Sequence, residues 1–146
     1  MKQNIPTIEL SYYELSLLAF LKDSHPHRSE DIPFIQSRAE LAAEAYEEAL
    51  LNGYVHNQSA EIANSTLFQD LHFSIHDTIV NILWSEFADQ VPQGDAPAVA
   101  VELYPLVKDI TAKYLMNDDF AYGPEYEQLY TELTGAILIH FEEYGI

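Results

Sequence analysis

The spacing of hydrophobic positions along the chain predicts helices. Apolar residues recur at intervals of three and four, which places them on one side of a helix, whereas the alternation typical of a strand never persists. The clearest apolar stripe consists of Phe34, Leu41, Ala42, Ala45 and Ala49. The sequence therefore predicts an all-α fold.

Capping residues, prolines and glycines predict the bounds of six helices. A serine followed three residues later by an acidic residue is typical of a helix start, and this pattern predicts starts at Ser11 and Ser74. Pro105 is expected to kink the fifth helix or to divide it, since proline removes a backbone donor and clashes with the preceding turn. The predicted helices cover residues 11–25, 31–53, 57–69, 74–91, 97–115 and 124–145. We expect a single multihelical bundle in which residues 1–146 form one domain.

The composition is that of a folded chain. Hydrophobic residues make up 48% of the 146 positions and aromatic residues 12%, which is too apolar for a disordered protein. The chain has no cysteine, so disulfides, thiolate metal sites and thiol catalysis are excluded. The N-terminal residues contain no apolar leader, and no stretch approaches the roughly 20 apolar residues of a membrane span. We therefore expect a cytoplasmic protein that does not bind membranes.

The net charge is strongly negative. Lys and Arg number 6 against 24 Asp and Glu, which gives a formal net charge of −18. Such a surface repels nucleic-acid phosphates and anionic lipid, so we expect no direct nucleic-acid binding. The same charge attracts a protein partner with a basic surface. The alternative interpretation is that the charge only keeps the protein soluble.

Four glutamates lie opposite the apolar stripe of the second helix. Glu40, Glu44, Glu47 and Glu48 recur at intervals of one, three and four. Like charges three or four residues apart cost a few tenths of a kcal/mol per pair in an isolated helix, so packing of the opposite face must hold this helix together. We predict that these four residues bind the partner; a solvated helix face is the alternative.

Three polar residues fall on predicted apolar faces. His76 and Glu86 lie in the apolar arc of the fourth helix, and His140 lies on that of the last helix. Buried polar groups need partners, and a carboxylate beside an imidazole is a candidate acid–base pair. These three residues are therefore candidate catalytic residues. Structural pairing explains them equally well, and the sequence does not show that they meet.

His72 and His76 have the spacing with which two histidines of one helix bind a metal ion. However, Ser74 is the predicted helix start between them, which takes His72 off the shared face. A zinc-protease motif also requires Glu at the position that Phe73 occupies. We therefore expect a core or capping pair of histidines, with a metal site as the alternative, and we predict no cofactor.

Leu138 and Ile139 lie off the main apolar face of the last helix. Two interpretations are open for such a pair. It marks either a homodimer interface or a helix end that is buried on all sides.

Distinctive segments of the chain resemble a known family. The segments are 10–15 (LSYYEL), 67–74 (LFQDLHFS), 77–88 (DTIVNILWSEFA), 118–122 (DDFAY), 124–126 (PEY) and 129–135 (LYTELTG). They are similar to small acidic helical proteins of unknown function from anaerobic gut and oral bacteria, which are often encoded on conjugative transposons. The resemblance covers nearly the whole chain and implies a multihelical fold in a bacterial cytoplasm. It implies no catalytic residues.

These observations favour a non-catalytic interaction factor that binds a basic partner through an acidic helix face. A special case is a DNA mimic that inhibits a DNA-binding or restriction protein, since mobile elements often encode acidic proteins that imitate the charge of DNA. The alternative from another class is a small metal-dependent or acid–base enzyme that uses His72, His76, Glu86 and His140.

Overall fold

The computed structural model describes residues 7–145 of the chain, with side chains from residue 10 onward. Within this range the chain forms α-helices and short 3-10 helices and no strand, which confirms the all-α prediction. The α-helices are α1 (Thr7–Ser24), α2 (Ile32–Leu51), α3 (His56–Leu67), α4 (Ile75–Glu86), α5 (Ala96–Leu103), α6 (Lys108–Thr111) and α7 (Glu125–Tyr144). The 3-10 helices are Pro26–Arg28, Gln93–Asp95, Tyr104–Val107 and Phe120–Tyr122.

Two of the predicted helix starts are confirmed by hydrogen bonds. At the start of α2 the Asp31 carboxylate accepts the backbone N–H of Phe34 at 3.2 Å. At the start of α4 the Ser74 hydroxyl accepts the N–H of Asp77 at 3.0 Å. Each side chain satisfies a first-turn donor that has no partner within the helix.

One predicted bound of α1 and one of α4 are wrong. α1 begins at Thr7, so Ser11 lies inside the helix and does not cap it. The buried row of α1 consists of Tyr13, Leu17 and Leu21 and continues back to the half-buried Leu10. This row explains why the helix starts earlier than predicted. α4 ends at Glu86, short of the predicted Val91, and Phe87 is its C-cap.

Pro105 divides the predicted fifth helix, as expected. α5 ends at Leu103, the segment Tyr104–Val107 forms a 3-10 helix, and α6 begins at Lys108. A proline interrupts the α-helical hydrogen bonds but is compatible with the first turn of a new helical segment. The prediction of a divided helix is therefore confirmed, and its second part is a single α-helical turn.

The first compact unit ends at Gln69 and contains α1, α2 and α3. α2 packs against both α1 and α3. The buried apolar side chains of this unit are Tyr13, Leu17, Leu21, Ile35, Ala39, Ala42, Ala43, Ala49, Ala63 and Leu67. Half of them are alanine, and such short side chains let the axes of two packed helices approach closely.

The hydroxyl of Ser59, on α3, is fully buried and has no hydrogen-bond partner among the residues that the structure describes. An unpaired buried polar group is destabilising, and alanine is the better helix former. We expect Ser59→Ala to raise the free energy of unfolding by about 1 kcal/mol or more, measured by urea denaturation. The exposed Ser65 on the same helix is the control, because Ser65→Ala gains only the difference in helix propensity, about 0.5 kcal/mol. A destabilised Ser59→Ala variant would contradict the prediction.

The second compact unit begins at Asp70 and contains α4 to α7. Its core consists of Ile79, Val80, Ile82, Leu83, Phe87, Val91, Ala96, Ala100, Leu103, Val107, Phe120, Leu129, Leu133 and Ile137. α4 contacts both α5 and α7. Consecutive residues of α4 are buried at Thr78, Ile79 and Val80 and again at Ile82 and Leu83, so more than one face of this helix is covered. Within its unit, α4 is therefore the central helix.

Candidate functional site

The four predicted partner-binding glutamates lie on the outward side of α2. The residues that α2 buries are Ile35, Ala39, Ala42, Ala43 and Ala49. At 100° per residue Glu44 and Glu48 point away from this arc, whereas Glu40 and Glu47 flank it on the side of Ala43. Glu48 is exposed, while Glu40, Glu44 and Glu47 are partly exposed. We call these four residues the acidic face. Glu40 and Glu48 are eight residues apart, so the acidic face extends about 12 Å along the helix axis.

The buried side of α2 is rotated relative to the predicted stripe. Leu41, a predicted core residue, is 50% exposed, and Ala45 is only partly buried. Ile35 and Ala43 are buried in their place. α2 contacts both α1 and α3, so the arc that it buries differs from the single predicted stripe.

Lys and Arg are rare in the sequence around the acidic face. The sequence contains no Lys or Arg between Arg38 and Lys108. Arg38 donates hydrogen bonds at the end of α3, where its Nη1 lies 3.2 Å from the carbonyl oxygen of Leu67 and 2.7 Å from that of Gln69. Among the residues that the structure describes, none forms an ion pair with Glu44, Glu47 or Glu48. The charges of Glu44, Glu47 and Glu48 are therefore not neutralised by an ion pair within the described residues.

The structure does not bring His76 and Glu86 together. His76 is buried in the first turn of α4, and Glu86 follows it by ten residues on the same helix, about 15 Å along the axis. Contrary to the prediction, Glu86 is exposed, because α4 ends there and the apolar arc no longer encloses its side chain. Its carboxylate accepts a hydrogen bond from the Tyr130 hydroxyl at 3.3 Å.

His140 is partly exposed near the C-terminal end of α7. It follows Tyr130, the residue that contacts Glu86, by ten residues, which is about 15 Å along the helix. Its ring lies 5.0 Å from that of Tyr144 and 6.2 Å from that of Phe141. His140 is thus placed among aromatic side chains of its own helix.

The two histidines with metal-binding spacing have different environments. Ser74 caps α4 between them, so the exposed His72 lies outside the helix that contains the buried His76. The backbone N–H of His72 donates to Asp118 Oδ1 at 3.0 Å, and the N–H of Asp70 donates to Oδ2 at 3.0 Å. Asp118 is therefore a turn-capping residue. In the described range, no group of three or more His, Asp or Glu side chains is placed to hold a metal ion.

Lys113, Tyr114 and Glu132 form a polar cluster that the sequence analysis missed. The Lys113 ammonium and the Tyr114 hydroxyl both donate hydrogen bonds to the Glu132 carboxylate. These two donors lower the pKa of Glu132. The hydrogen bond to this carboxylate raises the pKa of Tyr114 to about 12, so the phenol stays protonated at neutral pH. Such a tyrosine is unsuited to act as a base. The hydrogen bonds of the cluster connect the segment after α6 to α7.

Leu138 and Ile139 are both exposed, near the C-terminal end of α7. They are therefore not part of a helix end that is buried on all sides within this chain. The exposed Leu106 lines the same shallow cavity as Ile139. The homodimer interface at Leu138 and Ile139 stays a prediction.

None of the helices in the described part of the chain is long and apolar enough to cross a membrane.

Comparison with known proteins identifies a family for this chain. The sequence model of the domain of unknown function DUF1896 matches residues 6–146. The crystal structure of protein PG0816 from Porphyromonas gingivalis, an oral anaerobe, superimposes with a TM-score of 0.89. It is 38% identical in sequence, and the match covers 94% of each chain.

No curated protein matches the chain significantly. The family model spans almost the entire sequence, and it agrees with the resemblance seen in the sequence segments. The chain belongs to the family of the domain of unknown function DUF1896.

Proposed function

We propose that the protein is a non-catalytic cytoplasmic interaction factor that binds a partner protein with a basic surface through its acidic face. The observation that carries this proposal is the acidic face itself: four carboxylates on one side of α2, with no Lys or Arg between Arg38 and Lys108. Complementary charges across an interface increase association rates and select partners. A net charge of −18 extends this attraction beyond the contact surface.

Reversing the charge of the acidic face tests the proposal. We expect the variant Glu40→Lys, Glu44→Lys, Glu47→Lys, Glu48→Lys to capture its partner about tenfold less efficiently or worse, because like charges then face each other. Capture from native bacterial lysate is measured by quantitative mass spectrometry at low and at moderate salt. A partner held by charge is released as the salt concentration rises.

A matched control separates the acidic face from net charge. Glu125, Glu127, Glu142 and Glu143 are exposed residues of α7, and reversing all four changes the net charge by the same amount. We expect the control variant to retain the partner. Equal loss in both variants would contradict the proposal, because it would mean that only the overall charge matters. Circular dichroism of both variants checks that the helices are intact.

Competition with duplex DNA distinguishes two forms of this function. A DNA mimic occupies the nucleic-acid site of its partner, so added duplex DNA displaces it. An ordinary interaction factor binds elsewhere on the partner and is not displaced. The net charge of −18 fits the DNA-mimic form if the captured partner is itself a DNA-binding protein.

A further inference from the structure

The turn between α2 and α3 presents an apolar surface to solvent. Its exposed apolar side chains, which we call the hairpin tip, are Leu50, Leu51, Tyr54 and Val55. Leu51 is 79% exposed and Val55 is 61% exposed. All four fall within six consecutive residues at this turn. Grouped exposed apolar side chains with a polar border are typical of interaction sites.

The backbone of the hairpin tip is fixed by hydrogen bonds. The N–H of Tyr54 donates to the carbonyl oxygen of Ala49 at 3.0 Å, and that of Gly53 donates to Leu50 at 3.1 Å. Gly53 has φ +93, the left-handed conformation that favours glycine at the end of a helix. On the α3 side, the N–H of Val55 donates to the Gln58 side chain at 3.3 Å. The exposed apolar side chains therefore project from an ordered turn.

A contact between the two helices supports the same turn. The Tyr46 hydroxyl of α2 lies 2.6 Å from Nδ1 of His56, the first residue of α3. Because the surface is ordered before binding, less conformational entropy is lost when a partner binds to it.

The hairpin tip continues directly from the acidic face. Leu51 follows Glu47 by four residues and Glu48 by three, and such positions are neighbours on a helix surface. Leu41 precedes Glu44 by three residues and is 50% exposed. The outward side of α2 therefore has exposed leucines next to its carboxylates, Leu41 between Glu40 and Glu44 and Leu51 after Glu48, a pattern that fits an apolar contact bordered by negative charge.

We propose that the hairpin tip, together with Glu47 and Glu48, binds a basic amphipathic helix of the partner protein. The apolar stripe of that helix packs on the hairpin tip, and its flanking Lys or Arg side chains pair with the carboxylates. This inference rests on the proposed function and names the chemistry of its partner. Charge complementarity favours this occupant over a second copy of the chain, which would bring the same carboxylates into contact.

A defined peptide tests the inference. The probe is the fluorescein-labelled amphipathic peptide LKKLLKLLKKLLKL, titrated with the full chain and followed by fluorescence anisotropy. About 0.3 M salt limits charge interactions to roughly 6 Å, so non-specific attraction by the net charge is weakened. The variant Leu51→Gln, Val55→Ser removes the apolar contact and leaves every carboxylate in place. We expect it to bind the peptide about tenfold more weakly or worse.

These substitutions are chosen to preserve the fold. Glutamine is a good helix former at the last residue of α2, and serine is a better N-cap than valine at the start of α3. The matched control is Leu138→Gln, Ile139→Gln, which removes two exposed apolar side chains from α7. We expect the control variant to bind the peptide as the wild type does.

The outcomes separate this inference from the proposed function. Wild-type binding by the hairpin-tip variant, or no peptide binding by the wild type, overturns the inference. If the variant Glu47→Gln, Glu48→Gln then loses the peptide while the hairpin-tip variant keeps it, the acidic face is supported and only the inference fails. Concentration-dependent self-association that the hairpin-tip variant abolishes would identify a second copy as the occupant, which also overturns the inference.

Discussion

Replacing Leu133 by alanine is expected to lower the free energy of unfolding by about 3 to 4 kcal/mol. Leu133 lies on α7 and is fully buried in the core of the second unit. The substitution removes buried apolar groups and leaves a cavity that the surrounding side chains fill only in part. Trp84, the single tryptophan of the sequence, lies on α4 in the same unit, so its fluorescence reports the unfolding transition in urea.

Leu138→Ala on the same helix is the control for this prediction. Leu138 is 45% exposed, so the substitution removes less buried surface and leaves no enclosed cavity. We expect it to cost less than about 1 kcal/mol. A Leu133→Ala variant no less stable than Leu138→Ala would mean that the interior around α7 is not packed as the structure describes.

The helices were predictable from the sequence because local rules decide where they begin and end. Asp31 and Ser74 cap α2 and α4 through hydrogen bonds to backbone groups only three residues away. Pro105 divides the fifth helix for an equally local reason. Where a helix end depends on packing, as at the start of α1, the local pattern at Ser11 was misleading.

The side of a helix that is buried was less predictable than the helix itself. The acidic face is exposed or partly exposed as expected, because four charges on one side of α2 exclude that side from the core. The rotation of the apolar stripe away from Leu41 follows from two packing partners, α1 and α3, that the sequence does not reveal. The same rotation left Leu41 in solvent beside the glutamates.

Contacts between distant residues were not predictable at all. Glu86 falls in the apolar arc of α4 by periodicity, yet the helix ends there and the residue is exposed. Its contact with Tyr130, and the hydrogen bonds of Lys113 and Tyr114 to Glu132, join segments far apart in the chain. Periodicity places a residue on a face, but only tertiary packing decides which residue it meets.

Arg38→Met is expected to lower the free energy of unfolding by about 2 to 3 kcal/mol, because hydrogen bonds of a charged donor are lost where α3 ends. Arg38 Nη1 lies within 3.4 Å of the carbonyl oxygens of Thr66, Leu67 and Gln69. Carbonyl groups at the end of a helix lack the backbone N–H partners that carbonyl groups inside the helix have. Its guanidinium also lies 4.8 Å from the centre of the Phe34 ring. Methionine keeps an unbranched apolar chain but removes all of the donors. Urea denaturation measures the loss, and hydrogen exchange of residues 56–67 shows whether α3 opens first.

Arg28→Met separates the hydrogen bonds of Arg38 from its contact with the aromatic ring. Arg28 lies on the same ring, 3.9 Å from its centre, and it also pairs with the exposed Asp31 carboxylate at 4.0 Å. An exposed ion pair and a cation–π contact together contribute about 1 kcal/mol or less, so Arg28→Met is expected to be the milder change. If both variants lower the free energy of unfolding equally, the contact with the Phe34 ring stabilises the fold and the hydrogen bonds to α3 contribute little. If Arg38→Met alone accelerates exchange in residues 56–67, the guanidinium of Arg38 stabilises the C-terminal end of α3, which is the helix that follows the hairpin tip.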